Sequence, residues 1–259
     1  MTAQNKIQVA AAMVLRNALM DIRKMFMEKN SGLDIAVEFG PSGVLSRNIE
    51  KGQAVDLFIS AGQKEIDRLA DKGFILPDSR KSLVGNQMVV MLKKGLTMNY
   101  LADLTTDQFR NIVLPFPDKA PSGRYAKEML IRLGLWDVLT EKQYFVDDVK
   151  QVVEAVAGGE ADAGFAWYAD IQATPGLDYY RIPQAAYEPV MVTAALPLYA
   201  EKNISAKKFL EYIASEEGII TLEKYGFTRP EQGQGAKRPH ILWKFLTPSY
   251  EDDFVNALL

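Results

Sequence analysis

The residues best able to hold a ligand lie where an apolar run gives way to a helix-forming one. Five such junctions occur: Ala11-Ala12-Met13-Val14, Gly40-Pro41-Ser42-Gly43, Ser60-Ala61-Gly62-Gln63, Pro121-Ser122-Gly123 and Asp147-Asp148-Val149. The first turn of a helix carries backbone N–H groups with no partner inside the helix, and the dipole leaves that end positive. Several such ends aimed at one point hold an anion without any cation. Small residues let the backbone approach a ligand, and Ser42 and Ser122 add hydroxyl donors. Each junction also has an ordinary structural use, because Ser or Asp before a helix caps it and Gly makes a turn. Spacing alone therefore leaves the function open at this point.

Composition removes most rival chemistries. The chain of 259 residues has no cysteine and a single histidine, His240. Thiol nucleophiles, disulfides and Cys/His zinc sites are excluded together, and a histidine confined to the tail argues against a Ser-His-Asp arrangement. There is no G-x-S-x-G elbow, Walker A loop or G-x-G-x-x-G fingerprint. The acid pairs Asp147-Asp148 and Glu216-Glu217 read as helix-start charges and solvated faces, not as a catalytic dyad. Tyr179-Tyr180, adjacent tyrosines like those of some ferric-binding proteins, sit in a short strand between turns and read as packing. No enzyme activity, cofactor or cation-binding metal site is expected. A net charge of −3 without a basic stripe argues against nucleic acid. Apolar residues at 48% and charged residues at 24% are ordinary for a soluble protein.

No apolar run approaches the roughly 20 residues that span a bilayer. The start, Met1-Thr2-Ala3-Gln4-Asn5-Lys6, lacks the apolar core of a leader. Either the protein is cytoplasmic or a leader has been removed and Met1 added.

The elements that must position the junctions alternate. Ile7–Ala10 reads as a short buried strand, followed by a helix with Leu15, Ala18, Leu19, Ile22, Met25 and Phe26 on one face. Leu33, Ile35, Val37 and Phe39 alternate as a strand, a short helix follows (Val44, Leu45, Ile49), and Val55–Ile59 is a third strand. Three such units in succession indicate a parallel sheet flanked by helices. A second set begins near Leu83, with strands at Met88–Leu92, Ile112–Leu114 and Ala163–Trp167. Its helices run through Tyr125–Leu133 and Val149–Val156, and Thr105 with Gln108 predicts a capping box opening one more. Val190–Ala195 is another strand, and helices near 205–215 and 216–225 close the globular part, with Gly226 at a C-cap position. Thr228–Lys237 reads as a linker to the apolar stretch Ile241–Leu246, for which packing on its own chain is preferred to a partner site.

Six blocks in this order resemble the periplasmic molybdate-binding proteins of ABC importers, from about Ile7 to Phe227. They are Ala10-Ala11-Ala12, Phe39-Gly40-Pro41-Ser42-Gly43, Asp56 to Lys64, Leu83-Val84-Gly85-Asn86, Pro121 to Glu128 and Lys224-Tyr225-Gly226-Phe227. The resemblance implies an α/β, two-lobed periplasmic-binding-protein-like fold of type II, each lobe a mostly parallel sheet flanked by helices, with two crossovers as the hinge. The lobes would be 6–84 plus 191–227 and 85–190, with 228–259 as a C-terminal extension. It implies a monomeric, periplasmic or extracytoplasmic solute-binding protein that holds a tetrahedral oxyanion, molybdate or tungstate first, between the lobes and delivers it to a membrane permease.

Carried over by position, the ligand residues would be Val14, Ser42, Ala61, Ser122, Val149 and Trp167, with Met13, Arg16, Gly123, Arg124 and Tyr168 beside them. Ala61, Ser122 and Val149 would give backbone N–H groups, and Ser42 its N–H and hydroxyl. The family usually has a serine where this chain has Val14 and a tyrosine where it has Trp167. Val14 keeps only its N–H, and Trp167 offers an indole N–H. Arg16 and Arg124 follow two of the junctions. Facing the site, they would admit a larger or carboxylated anion; facing outward, they are solvated charges. The outward reading is preferred for Arg124, and both readings stand for Arg16. A different anion, or a sensor that keeps the fold without transport, are the alternatives.

Overall fold

The computed structural model describes residues 6–172, 174 and 176–229. His240, the Ile241–Leu246 stretch and the rest of the expected extension beyond Arg229 lie outside the described residues. The chain divides into two compact units, residues 6–86 with 190–229 and residues 87–189.

Unit 1 opens with strand β1 (Lys6–Ala12), a 3-10 turn (Met13–Leu15) and helix α1 (Arg16–Lys29). Strand β2 (Asp34–Gly40), helix α2 (Ser42–Glu50), strand β3 (Leu57–Ser60), helix α3 (Gln63–Asp71) and strand β4 (Lys81–Gly85) follow. The expected apolar stripe of α1 is the buried one, with Ala18, Leu19, Ile22 and Phe26 inside. The helix stops where the Asn30 side-chain amide donates to the Phe26 carbonyl at 2.8 Å.

Unit 2 contains strand β5 (Met88–Leu92), strand β6 (Ile112–Pro115), helix α4 (Pro121–Arg132), strand β7 (Gln143–Val146) and helix α5 (Val149–Ala157). Strand β8 (Ala163–Trp167), the four-residue helix α6 (Tyr168–Ile171) and strand β9 (Asp178–Arg181) complete it. The chain then returns to unit 1 as strand β10 (Met191–Ala195), helix α7 (Ile204–Ile213) and helix α8 (Glu216–Lys224).

Each unit holds one five-stranded sheet, in the orders β2-β1-β3-β10-β4 and β7-β6-β8-β5-β9. β1 runs parallel to β2 and β3, and β6 parallel to β7 and β8. The reversed strands are β10 and β5, each antiparallel to both neighbours. These are the first strands formed after the chain enters each unit from the other. Such an entry strand need not be preceded by a helical crossover within its own sheet, so no handed connection forces it parallel. The apolar runs are buried on both faces: every residue of β3, β5, β6 and β8 is buried. One cluster packs Leu45, Phe58, Ile66 and Leu69 in unit 1, another Val89, Met91, Val113, Val152 and Val156 in unit 2. Each such side chain stabilises its unit by about 1.5–3 kcal/mol relative to exposure.

Three expectations need correction. Gly85, Asn86 and Val190, placed by the sequence in the second lobe, belong to unit 1. Backbone hydrogen bonds fix them there: Asn86 N–H donates to Val190 O at 3.1 Å, and Gly85 and Thr228 exchange N–H···O bonds. Thr228 is thus part of unit 1 and not of a detached tail. No helix opens at Thr105. A 3-10 turn (Leu101–Thr105) ends there instead. Asp103 caps it, accepting from the N–H groups of Asn99 and Tyr100, and the Lys142 ammonium takes the carbonyls of Leu104, Thr105 and Thr106 that a helix would have used.

Candidate functional site

In unit 1 the three junctions follow β1, β2 and β3. β1 extends to Ala12, so the first junction is shorter than expected and consists of the turn at Met13–Leu15, with Val14 half-buried and Met13 49% exposed. Arg16 is exposed. Its guanidinium lies 4.6 Å from the centre of the Phe39 ring, and its Nε donates to the Met13 sulfur at 3.4 Å. After β2, Pro41 sets the extended backbone from which α2 starts, and Ser42 is its first residue, buried. The Ser42 Oγ accepts a hydrogen bond from the Ala61 N–H at 3.1 Å. Two of the sequence-predicted residues are thereby brought together, with the hydroxyl proton still available to a further acceptor. Ser60 Oγ accepts from Gly62 N–H and donates to Glu65, holding the third junction. Asp56, which opens the most specific block of the resemblance, is structural: its carboxylate accepts the Gln8 N–H at 2.7 Å and locks β3 to β1.

In unit 2 the corresponding junctions follow β6, β7 and β8. Pro121 at the first turn of α4 has no N–H to leave unpaired. Ser122 is buried, and its hydroxyl has no hydrogen-bond partner among the described residues. An unpaired buried hydroxyl is destabilising unless something else occupies it. Gly123 packs α4 onto the end of β6 so closely that a Cβ would lie 2.1 Å from the Pro115 carbonyl oxygen. That accounts for the glycine without any ligand. Arg124 is half-buried, with its guanidinium 5.6 Å from the Tyr125 ring centre. Asp148 caps α5 by accepting the Gln151 N–H at 3.0 Å, and Val149 is the first residue of that helix. Asp147 is paired with Lys119. Both acids are therefore helix-start charges, as are Glu216 and Glu217, which pair with Arg229 and Lys29.

Trp167 ends β8 and is 5% exposed. Its ring meets Tyr125 edge-on at 5.5 Å and lies 6.5 Å from Tyr187. The Tyr187 hydroxyl accepts the Met88 N–H at 2.9 Å, and burial pushes its pKa up to about 12. Tyr168 opens α6 and donates its N–H to the Gln87 carbonyl at 2.7 Å. Asp170, two residues on, has a carboxyl oxygen sealed from solvent with no partner among the described residues. Burial raises its pKa to about 7, against the opposing pull of the Trp167 backbone N–H. The Trp167 junction, Asp170 and Arg181 carry no strong sequence signal. A four-residue helix shows no amphipathic period, though the period of two in β9 puts Tyr179 and Arg181 on one face. Tyr179 stands 36% exposed and packs its ring against Tyr168 and Arg181.

Each unit has helix starts after its parallel strands and one buried serine there, Ser42 in unit 1 and Ser122 in unit 2. Among the described residues no group of three or more His, Asp or Glu side chains stands ready for a metal ion.

Residues 7–228 match the family described as bacterial extracellular solute-binding protein. The chain is 33% identical over 235 residues to the molybdate-binding protein ModA of Escherichia coli (strain K12), covering 87% of this chain and 90% of that protein. It is 26% identical over 233 residues to ModA of Haemophilus influenzae, covering 87% and 91%. Among solved structures it resembles the periplasmic molybdate-binding protein of Azotobacter vinelandii, with a TM-score of 0.75 at 27% identity over 87% of this chain and all of that one. Sheets with one reversed entry strand each, helix starts after their parallel strands and a family match along almost the whole described chain lead to one conclusion: this chain belongs to the bacterial extracellular solute-binding proteins, and its role is that of the solute-binding component of an ABC importer.

Proposed function

We propose that the solute is a small tetrahedral oxyanion, molybdate or tungstate first, and that Val14, Ser42 and Ala61 of unit 1 and Ser122, Val149 and Trp167 of unit 2 supply its donors. The protein acts as an extracytoplasmic monomer, performs no chemistry on the anion and passes it to a membrane permease. The observation that carries this reading is the hydrogen bond from Ala61 N–H to Ser42 Oγ at 3.1 Å, which joins two of the assigned positions and leaves the Ser42 hydroxyl proton for an incoming anion. The unpartnered Ser122 hydroxyl supports it, since an incoming oxygen would satisfy a group that is otherwise buried alone. Molybdate-binding relatives at up to 33% identity supply the choice of anion.

A thermal-shift panel of molybdate, tungstate, sulfate, phosphate, chromate and small carboxylates, followed by calorimetry on each hit, tests it. Ligand at about 100 times its Kd adds roughly 2.7 kcal/mol of apparent stability. Ser42→Ala is expected to weaken the best oxyanion by roughly 1.5–3 kcal/mol, about ten- to a hundredfold. Unchanged affinity in that variant refutes the assigned site. Silence toward both molybdate and tungstate, with a response to another anion, moves the specificity elsewhere.

A further inference from the structure

Unit 2 withdraws two carboxyls from water and treats them in opposite ways. Burial weighs on Asp162, yet the N–H groups of Arg110 and Asn111, at 2.9 and 3.1 Å, and the Lys93 ammonium hold it below the usual carboxylate range. Asp170 receives far less. It is the third residue of α6, the place from which an acidic side chain reaches back to the N–H of the residue ahead of the helix. That residue is Trp167, and its N–H is the one group that favours the ionised form. The Asp170 Oδ2 is sealed from solvent with no partner among the described residues.

No neighbouring charge stands in for a partner. Helix α5 packs in the same cluster as Ile171 and Tyr168, and its Lys150 and Glu154 are exposed and paired with each other. Asp148 at its start caps that helix. Strands β8 and β5 have no titratable side chain, Tyr144 of β7 packs in the cluster, and β9 sets Tyr179 and Arg181 against the Tyr168 ring. None of these acts on Asp170, where burial comes first and the Trp167 N–H second. An asparagine would offer that N–H the same acceptor without titrating, so capping alone does not call for an acid. Beside Trp167 a neutral acid tolerates an anion, whereas an ionised one repels it. By linkage, an anion that binds there must favour the protonated acid.

We propose that Asp170 is a positioning residue that couples anion binding to protonation: neutral, it holds the Trp167 backbone for the ligand, and ionised, it weakens binding. This rests on the reading above, in which Trp167 is a donor to a tetrahedral oxyanion. Binding then takes up a proton from solution, and release returns it.

The test is calorimetry with molybdate and sulfate at fixed ionic strength, from about pH 6, where both are already dianions, to about pH 9. The parent is expected to bind the better of the two about tenfold more weakly at the upper end than at the lower. Repeated at about pH 7 in buffers of different ionisation enthalpy, the parent is expected to take up roughly half a proton per anion bound. Asp170→Asn is expected to keep the parent's low-pH affinity across the range and to take up no proton. The chain has one histidine and no cysteine, so His240→Gln is the control, and it is expected to keep the parent's slope. The proton count needs no variant and decides the matter even where Asp170→Asn fails to fold. If the anion binds without proton uptake, or if Asp170→Asn keeps the parent's pH slope, the coupling is overturned while the oxyanion reading stands. If the parent binds neither anion, both are overturned.

Discussion

The two units are laid out alike and furnished differently. In each, the first parallel strand lies between the second, at the sheet edge, and the third, at the centre, and the reversed entry strand separates the third from the other edge strand. Their helix starts therefore occupy equivalent places. In unit 1 two of those places are satisfied in advance: Ser42 receives Ala61, and Ser60 receives Gly62. In unit 2 they are left in tension. Among the described residues the Ser122 hydroxyl and an Asp170 carboxyl oxygen are buried without partners. At the helix starts, then, one topology leaves unit 1 paired and unit 2 with more to gain from whatever binds it, although unit 1 also buries an unpartnered Asn86 side-chain oxygen elsewhere. Polar groups buried unpaired stand where function, not stability, has set the residue.

The largest expected effect is on the pH response of unit 2. Asp170 has a folded pKa near 7 against an ordinary 3.8. The unfolded chain ionises this group first, so its stabilising effect is complete below about pH 4 and is lost as pH rises to about 7, an amount on the order of 4 kcal/mol. Thermal melts of the parent should fall across that window, and Asp170→Asn should flatten the fall. An identical slope in the variant breaks the claim that unit 2 carries the strain. Next in size is Gly123→Ala, which forces a methyl against the Pro115 carbonyl. It is expected to cost about 3 kcal/mol, seen as a melting temperature lower by roughly 6–12 °C.

The finest test compares the two serines in the absence of ligand. Ser42→Ala strands the Ala61 N–H and should lower the melting temperature by about 2–4 °C, whereas Ser122→Ala removes an unpaired hydroxyl and should raise it by a similar amount. Both should weaken oxyanion binding. If the two variants shift stability in the same direction, the contrast between paired and unpaired helix starts fails.

Much of this was legible in the residues. The stripe of α1, the apolar runs of β3, β5, β6 and β8, the cap at Asp148 and the return strand near Val190 all follow from period and cap chemistry, which act over a few residues. The order of the six blocks pointed to the family. The Thr105–Gln108 pattern misled because a capping box is only a local option. Lys142, 37 residues from Thr105, took its carbonyls instead. Asp170 was missed for the same reason in reverse: nothing near it in sequence marks it, and it acquires its character from burial in the packed unit.

What the sequence determined by itself was the kind of chain this is: alternating strands and helices with small-residue junctions, no nucleophile or metal set, and the family pattern. Local periodicity and side-chain chemistry suffice for that. Only the tertiary structure decided which serine is paired and which is alone, that Gly123 is required by packing, and that Trp167 is lined by Tyr125 and Tyr187. Those properties depend on burial and on partners distant along the chain, and only the packed fold brings such partners together.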